Sequence, residues 1–158
     1  MNYDDLEMAV LQGDTDKLWS ELETGDINVT APNGENLLHT AISKPDIAAG
    51  LIERGININA QDYEGKTPLH RALELEHYDV AELLIERGAD VNVIDDHGRP
   101  PLSDAIRNAC EDKKYVKMLL DNGADPHLAN DQGVSVLDRM KQMEYDQMVE
   151  LLESYLAE

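Results

Sequence analysis

The stretch "YEGKTPLHRALELEHYDVAELLIERGADVN", Tyr63 to Asn92, decides how the rest of the chain is read. Thr67 can cap a helix start through its hydroxyl, and Pro68 suits the first helical position, where its missing N–H costs nothing. Leu69, Ala72 and Leu73 then fall on one helical face. Val80, Leu83 and Leu84 repeat the pattern on a second helix, and Gly88 supplies the left-handed residue that ends it. "ADVNVIDDHG" is polar and turn-rich and leads onward as an extended hairpin loop. Two short helices of this kind cannot bury their apolar faces alone, but stacked copies can.

Copies are present. "HGRPPLSDAI" from His97 follows "EGKTPLHRAL" from Glu64 at a step of 33 residues, Gly65 to Gly98. "NGENLLHTAI" upstream and "QGVSVLDRM" downstream occupy the same roles. Between them recur "LIERGININA" from Leu51, "LIERGADVNV" from Leu84, "LLDNGADPHL" from Leu119 and a weaker "LETGDINV" from Leu22.

Composition agrees with thin helical layers. The 158 residues are 42% hydrophobic but only 4% aromatic, without Phe, so the core rests on Leu, Ile, Val and Ala. The net charge is −20, from 33 acidic and 13 basic residues. Such a chain repels nucleic acid and anionic membrane and meets basic partners faster. Cys110 is the one cysteine, so no intrachain disulfide forms. No apolar run approaches the roughly 18 residues of a membrane span. "MNYDDLEMAV" is no signal peptide, and a cytoplasmic location is expected.

The Gly turn, T-P-L-H-x-A, V-x-x-L-L helix and G-A-D-V-N of Gly65 to Asn92 resemble the ankyrin repeat family. The resemblance implies an all-α solenoid of stacked helix-turn-helix repeats with short hairpin loops. It spans the chain as one domain of five repeats, near 1–29, 30–60, 61–93, 94–129 and 130–158, the first and last being caps.

The departures carry expectations. The second repeat is two residues short, with Pro45 opening its second helix and Gly50 inside it, at a cost of about 1 kcal/mol relative to Ala. It is expected to be the less stable repeat. The fourth is two residues long, the extra length falling in "RNACEDKKY", and has Pro100 at the Thr cap and Ser103 at the His. The fifth has Val136 and Asp138 in place of Pro and His. Trp19 is expected to cap the core, with a binding anchor as the alternative.

No catalytic constellation emerges. His39 and His70 share one repeat position, and the resemblance makes that His structural. Cys110 sits among acidic neighbours, which blunt a thiol. Asp95 and Asp96 read as turn residues on an exposed tip. "DDHGRP" lacks the spacing of a calcium loop, and no phosphate-binding or nucleophile-elbow motif occurs. No enzyme activity, metal or cofactor is expected.

In the family, hairpin tips and first helices form a concave surface that binds other proteins. Here the tips are Tyr63, Glu64 and Lys66, then Asp96, His97 and Arg99, then Asp131, Gln132 and Val134. The first-helix positions are Ser43 and Lys44, then Arg71, Glu74 and Leu75, then Asp104, Arg107 and Asn108. Tyr63, Arg71, Arg99 and Arg107 stand out, because aromatics and Arg dominate hot spots. The expected function is stoichiometric binding and inhibition of a basic protein, as by an immunity protein that neutralises a toxin, by a monomer in a 1:1 complex. The alternative is an adaptor joining two partners through separable surfaces; an enzyme is a third, weaker reading.

Overall fold

The computed structural model describes residues 2–109 and 113–157. Its helices come in pairs: α1 (Tyr3–Gln12) with α2 (Thr15–Leu22), α3 (Leu37–Thr40) with α4 (Pro45–Glu53), and α5 (Pro68–Glu74) with α6 (Tyr78–Glu86). The remaining pairs are α7 (Pro101–Asn108) with α8 (Lys114–Asp121), and α9 (Val136–Gln142) with α10 (Asp146–Leu156). Among the described residues no β-strand occurs, only isolated antiparallel bridges, Thr30 to Asn36 and Ala129 to Ser135. The fold is therefore all-α. The chain divides into two compact units, Met1–Asp90 with α1 to α6 and Val91–Glu158 with α7 to α10.

The hairpins are built alike. In each, the glycine N–H donates to the carbonyl three residues back, and that residue's own N–H donates to the carbonyl four residues on. The bonds run Gly34 to Ala31 and Ala31 to Glu35, Gly65 to Asp62 and Asp62 to Lys66. They recur from Gly98 to Asp95 and Asp95 to Arg99, and from Gly133 to Asn130 and Asn130 to Val134. A carboxylate or amide oxygen completes three of the turns. Asp62 Oδ1 accepts from the N–H groups of Glu64 and Lys66, Asp95 Oδ1 from His97 and Arg99, and Asn130 Oδ1 from Gln132 and Val134. Gly98 at φ +71° is tightly placed, because a Cβ there would stand 2.5 Å from Asn130 Cα.

Helix starts follow from the caps. Thr67 and His70 close a capping box at α5, and Asn36 with His39 closes one at α3. His39 Nδ1 accepts the Asn36 N–H, so Nε2 carries the proton and donates to the Lys66 carbonyl at 3.0 Å, tying α3 to the next hairpin. Ser135 and Asp138 close the box at α9, so Asp138 does the work of the histidine it replaces. Pro100 gives α7 no side-chain cap. At the short repeat, α3 tightens into a 3-10 turn, Ala41–Ser43, before Lys44 leaves the helical region at φ −134°, ψ 80°. The following proline enforces that exit, since its ring excludes the α conformation of the residue before it.

In Met1–Asp90, Leu37, Leu38, Leu69, Ala72, Leu73, Val80 and Leu84 are at most 1% exposed. The buried face of α6 is Val80, Ala81, Leu84 and Ile85, whereas Leu83 is partly exposed, a correction to the expected face. Gly50 also differs from expectation, being a contact surface and not merely a weak helix position. A Cβ there would meet the Trp19 ring at 2.7 Å, and the Arg54 guanidinium stacks on that ring at 4.0 Å from its centroid. Trp19 is thus half-buried against the helix of the following repeat. In Val91–Glu158, Leu102, Val116, Leu119, Met148 and Leu152 are fully buried. Cys110 and the centre of the inserted segment lie outside the described residues.

Candidate functional site

The expected binding positions fall into two groups, one in each unit. In Met1–Asp90, the tip Tyr63–Lys66 and helix α5 form a single ion network around Arg71. Its Nε and Nη2 donate to Asp62 Oδ2 at 3.1 and 2.7 Å. Nη2 also reaches Glu64 at 2.8 Å, and Glu74 and Glu35 lie at 3.5 and 4.0 Å. Lys66 Nζ donates to both oxygens of Glu74 at 2.8 Å. Lys66 is only 7% exposed, so it does not offer a partner the ammonium expected there. Its stem is buried and its charge is held by Glu74.

Burial of Asp62 would raise its pKa. The N–H of Lys66, the Arg71 guanidinium and the N–H of Glu64 outweigh that and hold it below the usual carboxylate value. Burial would likewise lower the Arg71 pKa, but hydrogen bonding to Asp62 and the surrounding carboxylates raise it. Asp62 therefore organises this surface, and sequence reasoning missed it. The signal was its place three residues before the hairpin glycine, shared with Asp95. Tyr63 and Leu75 stay open, at 75% and 56% exposure, and the Tyr63 ring lies over Gly34, where a Cβ would stand 2.8 Å from Cδ1. Ser43 is exposed and Lys44 half-buried beside α3.

In Val91–Glu158, Asp95 is buried, unlike its exposed neighbour Asp96. The Arg99 Nε and Nη2 donate to Asp95 Oδ2 at 2.9 and 2.7 Å. Burial pushes the Asp95 pKa up, but Arg99 and the turn N–H groups bring it below its ordinary value. Asp95 is thus a structural acid and not a solvated turn residue. His97 is exposed. Asp104, expected on the open face of α7, is 2% exposed and accepts from Arg107 at 2.8 Å. Arg107 itself is exposed, and Asn108 is half-buried.

Between α7 and α9 runs a groove of about 460 Å³. Ile106, Leu128, Val134, Met140 and Met143 contribute its apolar lining. Arg99, Arg107 and Arg139 also line it, and they are all the arginines of this unit. Among the described residues, no carboxylate lines it. The expected positions Arg99, Arg107 and Val134 converge here. Arg139, Met140, Met143 and Tyr145 were missed, because only packing shows that the fifth repeat's first helix stands off from the fourth's. Among the described residues, no group of three His, Cys, Asp or Glu side chains is placed to hold a metal ion. No helix among them is long and apolar enough to cross a membrane.

Comparison with known proteins follows the same repeats. A model of ankyrin repeats in three copies matches residues 6–95, and an ankyrin repeat model matches residues 97–131. An ankyrin repeat protein of Pyrobaculum aerophilum is 46% identical over 44 residues, 28% of this chain. The matched stretch covers 17% of that protein.

Proposed function

Because the chain belongs to the ankyrin repeat family, whose repeats serve as protein–protein interaction modules, we propose that it is a stoichiometric binder and inhibitor of a basic protein. An immunity protein that neutralises a cationic toxin is one instance of this role. The observation that carries the reading is the sign of the tips. Glu64, Asp96 and Asp131 are exposed at successive hairpins of a chain with net charge −20. Exposed carboxylates of this kind accelerate encounter with a cationic surface and compete for a cationic cleft. In Met1–Asp90, Tyr63 and Leu75 offer exposed apolar area, the anchors that charge alone does not supply.

The test is capture from lysate with the tagged chain as bait, at low and high salt. Inhibition expects one basic protein, held 1:1, weakened by salt and losing its activity when bound. A neutral or acidic partner held equally at high salt defeats the inhibitor reading. The adaptor reading, with two surfaces of different chemistry, is favoured by one observation: the arginine-lined groove between α7 and α9 has the opposite polarity to the tips.

A further inference from the structure

Arg71 and Arg139 hold the same repeat position, each four residues after the cap of its first helix, Thr67 or Ser135. Arg71 is held by Asp62, Glu64 and Glu74. The residues at those three positions in the fifth repeat are Asn130, Gln132 and Gln142. Each carboxylate is replaced by the amide of the same size. Asn130 still completes its turn through Oδ1, as Asp62 does, but brings no charge. The preceding hairpin differs in the same direction, since Glu35 lies near Arg71 whereas the residue after Gly98 is Arg99. Arg139 is consequently exposed and makes no ion pair among the described residues.

The geometry points to a binding site in the groove between α7 and α9 for a short peptide segment of another protein that combines apolar side chains with carboxylates. The apolar lining accepts an aliphatic or aromatic side chain, and Met140 and Met143 adapt to its shape. Arg139 presents a planar fork of donors suited to a carboxylate. Arg107 stands beside it with one nitrogen on Asp104. A basic segment would meet three guanidiniums and, among the described residues, no lining carboxylate. Nucleic acid matches the arginines but not the apolar lining or a chain of net charge −20. This inference rests on the chain being a protein-binding module, but not on a basic partner. A basic protein at the acidic tips and an acidic segment in the groove would make two separable surfaces.

The probe is a phage-displayed random-peptide library panned on the full chain, followed by anisotropy titration of the dye-labelled winners. The expected winners pair Asp or Glu with large apolar residues and weaken as salt rises. Arg139→Glu should weaken them about tenfold or more. Gln132→Glu with Gln142→Glu restores the carboxylates seen around Arg71 and should weaken them similarly, with an unchanged circular dichroism spectrum. Lys17→Glu, an equal charge reversal in the other unit, should leave affinity intact. Basic winners, no winners, or winners indifferent to both groove variants overturn the proposal. So does a dimer of the chain that Arg139→Glu dissociates, since the groove would then belong to a second copy. Lysate capture of a basic protein by the Arg139→Glu variant would leave the inhibitor reading standing whichever way the peptides fall.

Discussion

In Met1–Asp90, Arg71 is enclosed by carboxylates, whereas in Val91–Glu158 the equivalent Arg139 makes no ion pair among the described residues. One repeat position shows the difference. Around Arg71 the side chains are carboxylates and Lys66, and the network is closed. At the equivalent positions of the fifth repeat stand amides and Val134, and the Arg139 charge lies beside an apolar groove. A scaffold can thus hold its fold and alter its partner chemistry by exchanging a carboxylate for an amide of equal size. The turn depends on an acceptor oxygen, and both groups supply one.

The largest expected effect comes from glycines that look equivalent in composition but differ in surroundings. Gly98→Ala should destabilise Val91–Glu158 by about 3 kcal/mol or more, combining a positive φ with a clash against backbone. Gly50→Ala in the other unit meets side chains and not backbone, the half-exposed Trp19 ring and the Arg54 guanidinium, and gains about 1 kcal/mol of helix propensity. Its net effect should be well under that of Gly98→Ala in urea denaturation. Equal losses would mean that the Trp19 ring is as immovable as backbone.

Removing the paired arginines sharpens the contrast at the next level. Arg71→Ala should cost about 1–3 kcal/mol, because it strips Asp62 of its charged partner. Arg139→Ala should stay within about 0.5 kcal/mol, as for an exposed residue with no ion pair among the described residues. Matched chemical denaturation of the two variants decides it, and a large loss for Arg139→Ala would break the comparison.

Acidification should separate the units by hydrogen exchange. Burial lowers the His39 pKa below its usual 6.5, despite the opposing pull of the Lys66 carbonyl and nearby carboxylates. A depressed folded pKa means stability that is complete above the unfolded value and is lost as pH falls through the folded one. Protection in Met1–Asp90 should therefore decline as pH falls below 6.5, and His39→Gln should flatten that decline. Asp62 and Asp95 are also depressed, by hydrogen bonds that outweigh burial, so their contributions persist until pH falls below about 3.8, the ordinary aspartate value. Val91–Glu158 should hold its protection down to that acid limit. Coincident loss in both units near neutral pH would contradict the assignment to His39.

The smallest expected effect is stabilising. Glu76 and Glu144 occupy equivalent turns between paired helices at φ 61° and 55°. Glu76→Gly and Glu144→Gly should each raise stability by up to about 1 kcal/mol, relieving left-handed strain against a gain in unfolded-chain entropy. Thermal melts read this directly, and a loss would show that the glutamate side chain makes a compensating contact.

The sequence by itself determined the repeat and its helices. Spacing of Thr67, Pro68, Leu69 and Ala72 acts within one or two turns, and a 33-residue step from Gly65 to Gly98 is visible without coordinates. Such signals are local, so they survive in one dimension. Much of the surface chemistry was not legible in this way. Lys66 and Asp104 read as surface residues and are buried, Asp95 reads as a turn residue and anchors Arg99, and Gly50 reads as a defect and seats Trp19. Tertiary structure alone decided which charges are neutralised and where a groove stays open. The reason is distance along the chain: Arg71 meets an acid nine residues away, Trp19 a glycine 31 residues away, and the groove is walled by α7 and α9, helices from consecutive repeats. Burial and long-range pairing are properties of neighbours brought together by stacking, and only the short-range pairs, such as Asp95 with Arg99, leave a local trace.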